Sequence, residues 1–580
     1  MSQANICSIV RRPPPAVAQA LAGQLPPVAA RIYASRNIQH PDELQHGLHK
    51  LPPFSLLRDI DAAVELLLTA LRERQRILVV GDFDADGATS TALALRTLRA
   101  FGAAQVDFLV PNRFTYGYGL TPEIVELAAV HAPDLLITVD NGISSLDGVA
   151  SAKARGMAVL ITDHHLPGAK LPAADAIVNP NQPGDEFPAK NLAGVGVFFY
   201  VMMALRQRLR AENWFEECAI AEPNLAQWLD LVALGTVADV VPLDRVNRIL
   251  VAQGLARMRS GQLSPGLLAL AEIAGRVAGR LVAADLGFAL GPRLNAAGRM
   301  DDMSLGIDCL LCDSLDKARP LAQTLDMFNQ ERRQVEDDMK AQAFAELERM
   351  TLETDSDCPP GLCLYDPDWH QGVIGILASR IKDRLHRPVI VCTDSNGCEI
   401  KGSARSIAGF HMRDGLDAIA ARNPGLLVKF GGHAMAAGLS LKKENLPHFR
   451  TAFMEEVVRQ LGEQPVRQAL LSDGELQAGE ATLELAELLR FLVPWGQAFP
   501  EPLFDGVFER VSWRVVGERH VKLVLRWPNE NQLVDGIAFH ADIAAWEAAG
   551  DRVHLAYRLD INEFRDRKRV QLIIVHMQSA

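Results

Sequence analysis

Three aspartates at alternate positions, Asp82, Asp84 and Asp86, follow the apolar run ILVV in the stretch GDFDADG. Carboxylates this close together repel one another and lose hydration at a buried strand end, so a cation or a very open loop must compensate. Further groups that could hold a cation follow two more apolar runs: Asp140 after LLITV, and Asp163, His164 and His165 after AVLIT.

These groups would meet if the apolar runs were neighbouring strands of one sheet. Strand-like and helix-like runs alternate from about residue 60 onward, which predicts a parallel, doubly wound sheet covered on both faces. Ligands bind such sheets at the carboxyl ends of the strands. Oxygen ligands with one or two imidazoles suit Mn²⁺ or Mg²⁺ better than thiolate-bound zinc, and shared carboxylates could hold two ions that activate a water against a phosphate.

Each group alone has a simpler interpretation. A single aspartate after a strand usually caps a helix or forms a turn, and Asp-His-His could be a loop whose side chains are satisfied. DFDADG could also be an EF-hand loop, but it follows a strand and lacks a glutamate at the twelfth loop position. The presence of three such groups at successive strand ends favours a metal site over separate caps, turns or loops.

Composition places the chain among soluble globular proteins, with 48% apolar and 22% charged residues. We find no apolar run of membrane-spanning length and no signal-peptide core, and eight cysteines without a regular framework fit a reducing compartment, so we expect a cytoplasmic location. The single CxxC, Cys309 to Cys312, is expected to be a core helix face. A net charge of −12 argues weakly against coating duplex DNA but permits a local basic groove.

The 580 residues predict an α/β multidomain protein rather than a single core. A long charged stretch without glycine or proline after Pro320 is typical of a helix that bridges two domains. The short strands near the end predict an OB-fold-like β-barrel. The expected regions are a helical arm over 1–55, a parallel-sheet domain over 56–265, a helical linker region over 266–352, a smaller α/β domain over 353–462 and the barrel domain over 463–580.

Several basic and polar stretches could bind phosphates. KGSARS offers Lys401, Ser403 and Arg405 within six residues, a combination of charge and hydroxyl donors that suits phosphate. GGHAMAAG permits close backbone approach at Gly432 with His433 as a donor, although a simple turn is an equal alternative. A lone arginine more often forms a surface salt bridge. Further candidates for DNA binding are Arg113, beyond the strand VDFLVP, and Arg293, Asn295 and Arg299 in GPRLNAAGRM.

GDFDADG, TVDNG and the Asp-His-His triplet resemble the signatures of the DHH phosphoesterase superfamily, and DLVALGTVADVVPL at 230–243 is similar to its fourth motif. The resemblance implies that 56–265 is a DHH catalytic domain and 353–462 a DHH-associated domain. It implies that Asp140 bridges two ions and that His165 is available to the substrate phosphate. The implied metal ligands are Asp84, Asp86, Asp140, His164 and Asp239, with Asp82 and Asp230 as weaker candidates. The implied catalytic set consists of the first five of these residues and His165.

The stretches GPRLNAAGRM, WHQGVIGILASRI, KGSARS and GGHAMAAG, together with the domain order, resemble a bacterial branch of this superfamily. The resemblance implies an exonuclease that digests single-stranded DNA from 5′ to 3′ to mononucleotides in recombination and repair. It implies Mn²⁺ or Mg²⁺ as cofactor, and single-strand-binding protein and a RecQ-type helicase as partners; a monomer is the default. Two alternatives stay open, a DHH phosphodiesterase for nano-oligonucleotides or cyclic dinucleotides, and a non-enzymatic DNA-binding scaffold.

Overall fold

The computed structural model describes residues 7–13, 15–16, 19–112, 115–116, 119–354, 359–395, 397–462, 468–517, 519–528, 530–564 and 567–579. The chain forms two compact units, one of Met1–Val10 with Gln330–Leu471 and one of Arg11–Asn329 with Ser472–Ala580. No helix in this described part of the chain is both long enough and apolar enough to cross a membrane. The first elements are β1 (Cys7–Arg11), α1 (Gln19–Ala22) and α2 (Pro27–Ala34).

A five-stranded parallel sheet forms the centre of the first α/β domain, with strand order β3-β2-β4-β5-β6. Successive side chains of a strand face opposite sides, so Val79 packs into one apolar cluster with the helices α3, α4 and α7, and Val80 into another with α5 and α6. The elements are α3 (Ile60–Arg72), β2 (Arg76–Gly81), α4 (Ala85–Ala100), β3 (Gln105–Leu109), α5 (Pro122–Val130), β4 (Leu135–Val139), α6 (Leu146–Ala154), β5 (Ala158–Thr162), β6 (Ala176–Val178) and α7 (Gly194–Ala211).

A helical region follows the sheet. Its elements are α8 (Trp214–Glu217), α9 (Leu229–Ala238), α10 (Arg245–Arg259), α11 (Pro265–Ile273), α12 (Ala283–Asp285), a π-helical turn at Leu286–Leu290, α13 (Gly291–Met300), α14 (Ser304–Leu311) and α15 (Leu315–Thr354). The predicted long charged helix is α15, and the boundary between the two units falls within it. Cys309 is buried in α14, as expected for a core helix face, whereas Cys312 follows the end of α14 and is only partly buried.

The second α/β domain has a mixed sheet of order β10-β11-β9-β8-β7, in which only β7 and β8 are parallel. One sheet face packs on α17 and α18, and the strip of the other face over β7 and β8 packs on α16 and α15. The elements are β7 (Leu362–Tyr365), α16 (Ile374–Leu385), β8 (Val389–Asp394), β9 (Glu399–Arg405), α17 (Met412–Arg422), β10 (Lys429–Gly432), β11 (Ala436–Lys442), α18 (Leu446–Leu461) and β12 (Gln468–Ser472), which pairs with β1.

Five strands close into the barrel that the sequence predicted, with order β13-β14-β15-β17-β16. Aromatic side chains fill its core, including the fully buried Phe504, Phe508 and Tyr557. The elements are α19 (Leu483–Phe491), β13 (Phe504–Val516), β14 (His520–Arg526), β15 (Leu533–Ala538), α20 (Ile543–Ala548), β16 (Arg552–Phe564) and β17 (Arg567–Ser579).

Candidate metal centre and nucleic-acid interface

The register of three adjacent parallel strands aligns the predicted metal-binding residues. Gly81 of β2 pairs with Val139 of β4, which pairs with Thr162 of β5. The next residue along each strand is an aspartate, so three acidic groups start from the same level of the sheet edge: Asp82, Asp140 and Asp163.

Seven side chains were expected to be metal ligands or catalytic groups: six from the three strand ends, and Asp239. All seven come together at this edge. They form three clusters, within each of which the candidate ligand atoms lie within 4.8 Å of one another. Asp140 and His164 each belong to two clusters, so the clusters share side chains, as a two-ion centre requires. The clusters are Asp82, Asp84 and Asp140; Asp86, His164 and Asp239; and Asp140, His164 and His165.

The first turn of α7 holds the carboxylate of Asp86. The N–H groups of Gly194 and Val195 donate to its two oxygens at 2.6 and 2.9 Å, and a helix N-terminus favours negative charge. Burial, and then the charge of Asp84, nevertheless raise the pKa of Asp86 to about 7. Position 194 also requires glycine, because a Cβ there would lie 2.7 Å from the Cβ of Asp140.

Asp140 is a fully buried acid in an unusual backbone conformation. Its φ is 61°, a region that few residues other than glycine adopt, and its N–H donates to the carbonyl of Thr162 at 3.0 Å. Burial, followed by the charges of Asp86 and Asp84, raises its pKa well above the ordinary value. A bound cation would reverse this repulsion, because opposite charge favours the carboxylate form.

The two histidines have different surroundings. His164 Nε2 lies 3.1 Å from Asp140 Oδ1 and 3.5 Å from Asp239 Oδ2, in the position of a ligand shared by the acidic groups. His165 Nδ1 lies 2.8 Å from Asp163 Oδ1. Burial alone would lower the pKa of His165, but the hydrogen bond and charge of Asp163 raise it to about 9.

Asp163 orients the histidines rather than joining the clusters. One carboxylate oxygen accepts hydrogen bonds from the N–H groups of His164 and His165, and the other accepts from Ile143 N at 2.9 Å. Burial opposes its charged form, yet the hydrogen bond from His165 lowers its pKa below the ordinary value. Such a carboxylate fixes the ring orientation and tautomer of its histidine.

Helix α9 brings Asp239 to the site from outside the sheet. The close approach of α9 to α4 depends on Gly235, where a Cβ would lie 2.4 Å from Thr89 Oγ1. Burial and the charges of Asp86 and Asp84 raise the pKa of Asp239 well above its ordinary value. Asp230 lies in the first turn of the same helix, accepts a hydrogen bond from Ser264 N at 2.8 Å and belongs to none of the three clusters of described residues, so it connects α9 to α11.

Helix α13 packs on the acidic loop. Asn295 Oδ1 accepts a hydrogen bond from Ala85 N at 2.8 Å, and a Cβ at Gly298 would lie 1.9 Å from the carbonyl oxygen of Phe83. Arg293 forms a largely buried ion pair with Asp326, at 2.8 Å. The DNA contacts predicted for Asn295 and Arg293 stay predictions, and both side chains also have these partners inside the protein. Arg299 is half-buried in the last turn of α13.

One face of the second sheet carries the residues of KGSARS. Lys401, Ser403 and Arg405 alternate along β9 and therefore share a face. Ser403 pairs with Gly438 of β11, which pairs with Gly431 of β10, and a Cβ at either glycine would meet nothing within 4 Å. This strip of open backbone beside basic side chains suits a phosphodiester chain. The exposed Lys429 of β10 belongs to the same face and was missed by the sequence analysis.

Arg405 is a desolvated guanidinium beside a helix N-terminus. It donates to Ala404 O at 2.8 Å and Ser403 Oγ at 3.2 Å, and burial lowers its pKa. A Cβ at Gly375 would lie 2.9 Å from Ser403 Oγ, so the first turn of α16 lies beside both groups. Such a set attracts an anion.

The sequence GGH lies in a tight turn between β10 and β11. A simple turn was one of the two interpretations of this stretch. Gly432 has a φ of 141°, and a Cβ there would lie 2.4 Å from Ala436 O. His433 N donates to the same carbonyl at 2.7 Å, and its side chain is exposed. The donor role of His433 stays a prediction. Arg113 lies outside the described residues.

Sequence reasoning missed two groups that support the centre, the N–H groups of Gly194 and Val195 and the side chains of Asn179 and Asn181, which bind the main chain of the histidines. Asn179 directly follows β6 in AIVNPN, so the strand-end rule applied to this edge strand would have found it.

Three family patterns match the chain. The DHH family, N-terminal domain, matches residues 76–236, the DHHA1 domain matches 359–460, and the RecJ OB domain matches 472–576. With the parallel sheet, the mixed sheet and the closed barrel, these matches define a multidomain enzyme of the DHH class.

Similar proteins identify the branch of this class. The single-stranded-DNA-specific exonuclease RecJ of Dickeya dadantii (strain 3937) is 53% identical over 574 residues, covering 99% of each chain. The chain belongs to the RecJ family of single-stranded-DNA-specific exonucleases, which confirms the resemblance and favours it over the small-substrate alternative.

Two crystal structures of RecJ from Thermus thermophilus share the fold. The complex with Mn²⁺ has a TM-score of 0.80 and 31% identity, covering 99% of this chain and 80% of that chain. The complex with Mg²⁺ has a TM-score of 0.74 and 28% identity, covering 99% of this chain and 78% of that chain.

Proposed function

We propose that this chain is a metal-dependent exonuclease that degrades single-stranded DNA from its 5′ end and releases mononucleotides. The observation that carries the proposal is that two clusters of candidate ligands meet at one sheet edge: Asp140, which lies with Asp82 and Asp84, is 3.1 Å from His164, which lies with Asp86 and Asp239. Membership of the RecJ family supports the substrate.

The donor set fits Mn²⁺ or Mg²⁺, because carboxylate oxygens with one or two imidazoles are ligands that these ions accept. The raised pKa values of Asp86, Asp140 and Asp239 arise partly from mutual repulsion, which a cation relieves. Two ions would supply a polarised phosphate and an activated water at this site. The proposed ligands are Asp82, Asp84, Asp86, Asp140, His164 and Asp239.

The protein's own groups orient and neutralise the phosphate. Asp163 fixes the ring of His165 through Nδ1, and we assign its Nε2 to the substrate phosphate. Preorganised donors of this kind stabilise charge that develops on a phosphate in the transition state. We assign the catalytic role to His165 together with the ligands.

The open face of β9, β11 and β10 is the proposed DNA-binding surface, on which Lys401, Ser403 and Arg405 contact phosphates and the glycine strip lies against the backbone. Contacts of this kind carry no base preference, as a non-specific exonuclease requires. The remaining proposed DNA contacts are Arg113, Arg293, Asn295, Arg299, Gly432 and His433.

The five regions predicted from the sequence are proposed as the functional domains. We place the protein in the cytoplasm as a monomer that acts in recombination and repair with single-strand-binding protein and a RecQ-type helicase.

A digestion assay tests the proposal. Single-stranded DNA labelled at its 5′ or its 3′ end is incubated with the protein and Mn²⁺, beside blunt duplex and a dinucleotide. Immediate release of labelled mononucleotide from the 5′-labelled strand alone, with duplex intact, is expected. Hydrolysis of the dinucleotide with long strands intact would overturn the proposal.

A further inference from the structure

Two asparagines after β6 hold the main chain of the metal-site histidines. Asn181 Nδ2 donates to the carbonyl oxygen of His164 at 2.6 Å, and Asn179 Nδ2 donates to that of His165 at 2.9 Å. Asn181 N donates to Asn179 Oδ1 at 2.7 Å, which couples the two residues. We call Asn179 and Asn181 the asparagine bracket.

The bracket stands at the same carboxyl edge as the proposed ligands. Thr162 of β5 pairs with Val178 of β6, and Asp163 N donates to Val178 O at 3.2 Å. Asn179, the residue after Val178, therefore lies beside Asp163 at the ends of the two strands. Asp163 binds the N–H groups of the two histidines, whereas the bracket binds their carbonyl groups. The histidine main chain is therefore held on both its donor and its acceptor side.

Further contacts keep the bracket in place. Asn179 is fully buried, and Asn181 Nδ2 also donates to Lys190 O at 3.0 Å. The ammonium group of Lys190 in turn donates to Pro180 O at 2.6 Å and pairs with Asp185. These contacts hold together the loop that carries the two carboxamides.

We propose that Asn179 and Asn181 are positioning residues of the metal centre. They set the main-chain position of His164 and His165, and thereby keep the imidazole of His164 beside Asp140 and Asp239. The inference rests on the proposed function and adds two residues to it. Groups that orient ligands from behind change metal affinity when they are lost, because the ligand geometry loosens.

Isosteric replacement tests the bracket. Asn179→Asp and Asn181→Asp keep the size of the side chain and the acceptor oxygen but replace the donor that each histidine carbonyl needs. Gln182→Glu is the matched control, since Gln182 is a buried carboxamide in the same loop that donates to Ile177 O at 2.6 Å instead of a histidine.

Binding of Mn²⁺ alone is measured in the full-length protein by the electron paramagnetic resonance signal of free Mn²⁺. We expect the affinity for Mn²⁺ to be about 10- to 100-fold weaker in both bracket variants. In Gln182→Glu, the affinity for Mn²⁺ should stay near that of the wild type. Activity on single-stranded DNA should need correspondingly more Mn²⁺ and recover at saturation, while affinity for the strand in EDTA stays unchanged.

Thermal unfolding of the three variants separates positioning from stability. Bracket variants that bind Mn²⁺ like wild type would overturn the inference and leave the proposed function standing. If the wild-type protein bound no Mn²⁺, that result would instead contradict the proposed function. Asn181 is only partly buried, so Asn181→Asp keeps the test available if Asn179→Asp does not fold.

Discussion

Gly194 N lies 2.6 Å from Asp86 Oδ2, so the first turn of a helix that starts 108 residues away along the chain caps the most buried aspartate of the acidic loop. The same glycine leaves room for Asp140, whose Cβ would be 2.7 Å from a Cβ at position 194. One backbone position thus contacts Asp86, a candidate ligand of one cluster, and makes room for Asp140, which belongs to the other two clusters.

Gly194→Ala should damage the metal centre. The added methyl group must displace either α7 or Asp140, so we expect Mn²⁺ affinity and kcat on single-stranded DNA each to fall at least about tenfold, as in cases where ligand geometry is disturbed. Gly196→Ala is the control, because the nearest atom to a Cβ there belongs to the side chain of Leu192, at 3.2 Å. Equal effects of the two substitutions, measured by metal titration and steady-state kinetics, would argue against a specific contact at position 194.

Asn295→Ala separates two roles for that residue. The side chain holds Ala85 N at the start of α4, so its loss should loosen the acidic loop and weaken Mn²⁺ binding by a few-fold or more. A DNA contact predicts something else, a raised KM for single-stranded DNA with unchanged Mn²⁺ affinity. Metal titration without DNA, combined with kinetics at saturating Mn²⁺, decides between them.

Arg405→Ala should weaken DNA binding and leave the metal centre intact. A charge-assisted contact to phosphate is worth about 1.5–3 kcal/mol, so KM should rise roughly ten- to a hundredfold with Mn²⁺ affinity unchanged. Arg450 serves as the control. It belongs to α18 in the same domain, and it donates to Cys363 O on the opposite face of the sheet. Arg450→Ala should therefore keep the wild-type KM, and an equal rise in both variants would contradict the assignment of the open sheet face.

Glu456 links pH to the stability of the second α/β domain. Hydrogen bonds from Arg459 and Arg422 lower its pKa to about 2, so its ion pairs stabilise the fold above the ordinary value near 4.5, and this stability is lost as the pH falls toward 2. Glu456→Gln should lower the unfolding midpoint at pH 6, and the difference from wild type should shrink between pH 4.5 and 2. Thermal scans across that range test this, and a constant difference would show that charge is not involved.

The strand-end rule predicted which side chains meet at this sheet edge because parallel register is a local property. Once β2, β4 and β5 are recognised as apolar runs, Asp82, Asp140 and the residues after Thr162 must share an edge. Asp239 carries no such signal, since it follows a helix, and only the resemblance to the DHH superfamily indicated it.

Contacts between distant segments could not be predicted in the same way. The ion pair of Arg293 with Asp326 and the hydrogen bond of Asn295 to Ala85 depend on how α13 packs, which neither periodicity nor composition specifies. The CxxC shows the opposite case, because its apolar surroundings alone predicted that Cys309 would lie in the core.

Counting bound Mn²⁺ tests the central claim most directly. Titration of the full-length protein, without DNA, should give two ions per chain. Asp140→Ala should weaken binding of both, because Asp140 lies with Asp82 and Asp84 in one cluster and 3.1 Å from His164 of the other. Asp230→Asn, a buried acid of α9 outside the clusters, should keep both ions. One ion per chain in the wild type, or unchanged binding in Asp140→Ala, would contradict a shared two-ion centre at this sheet edge.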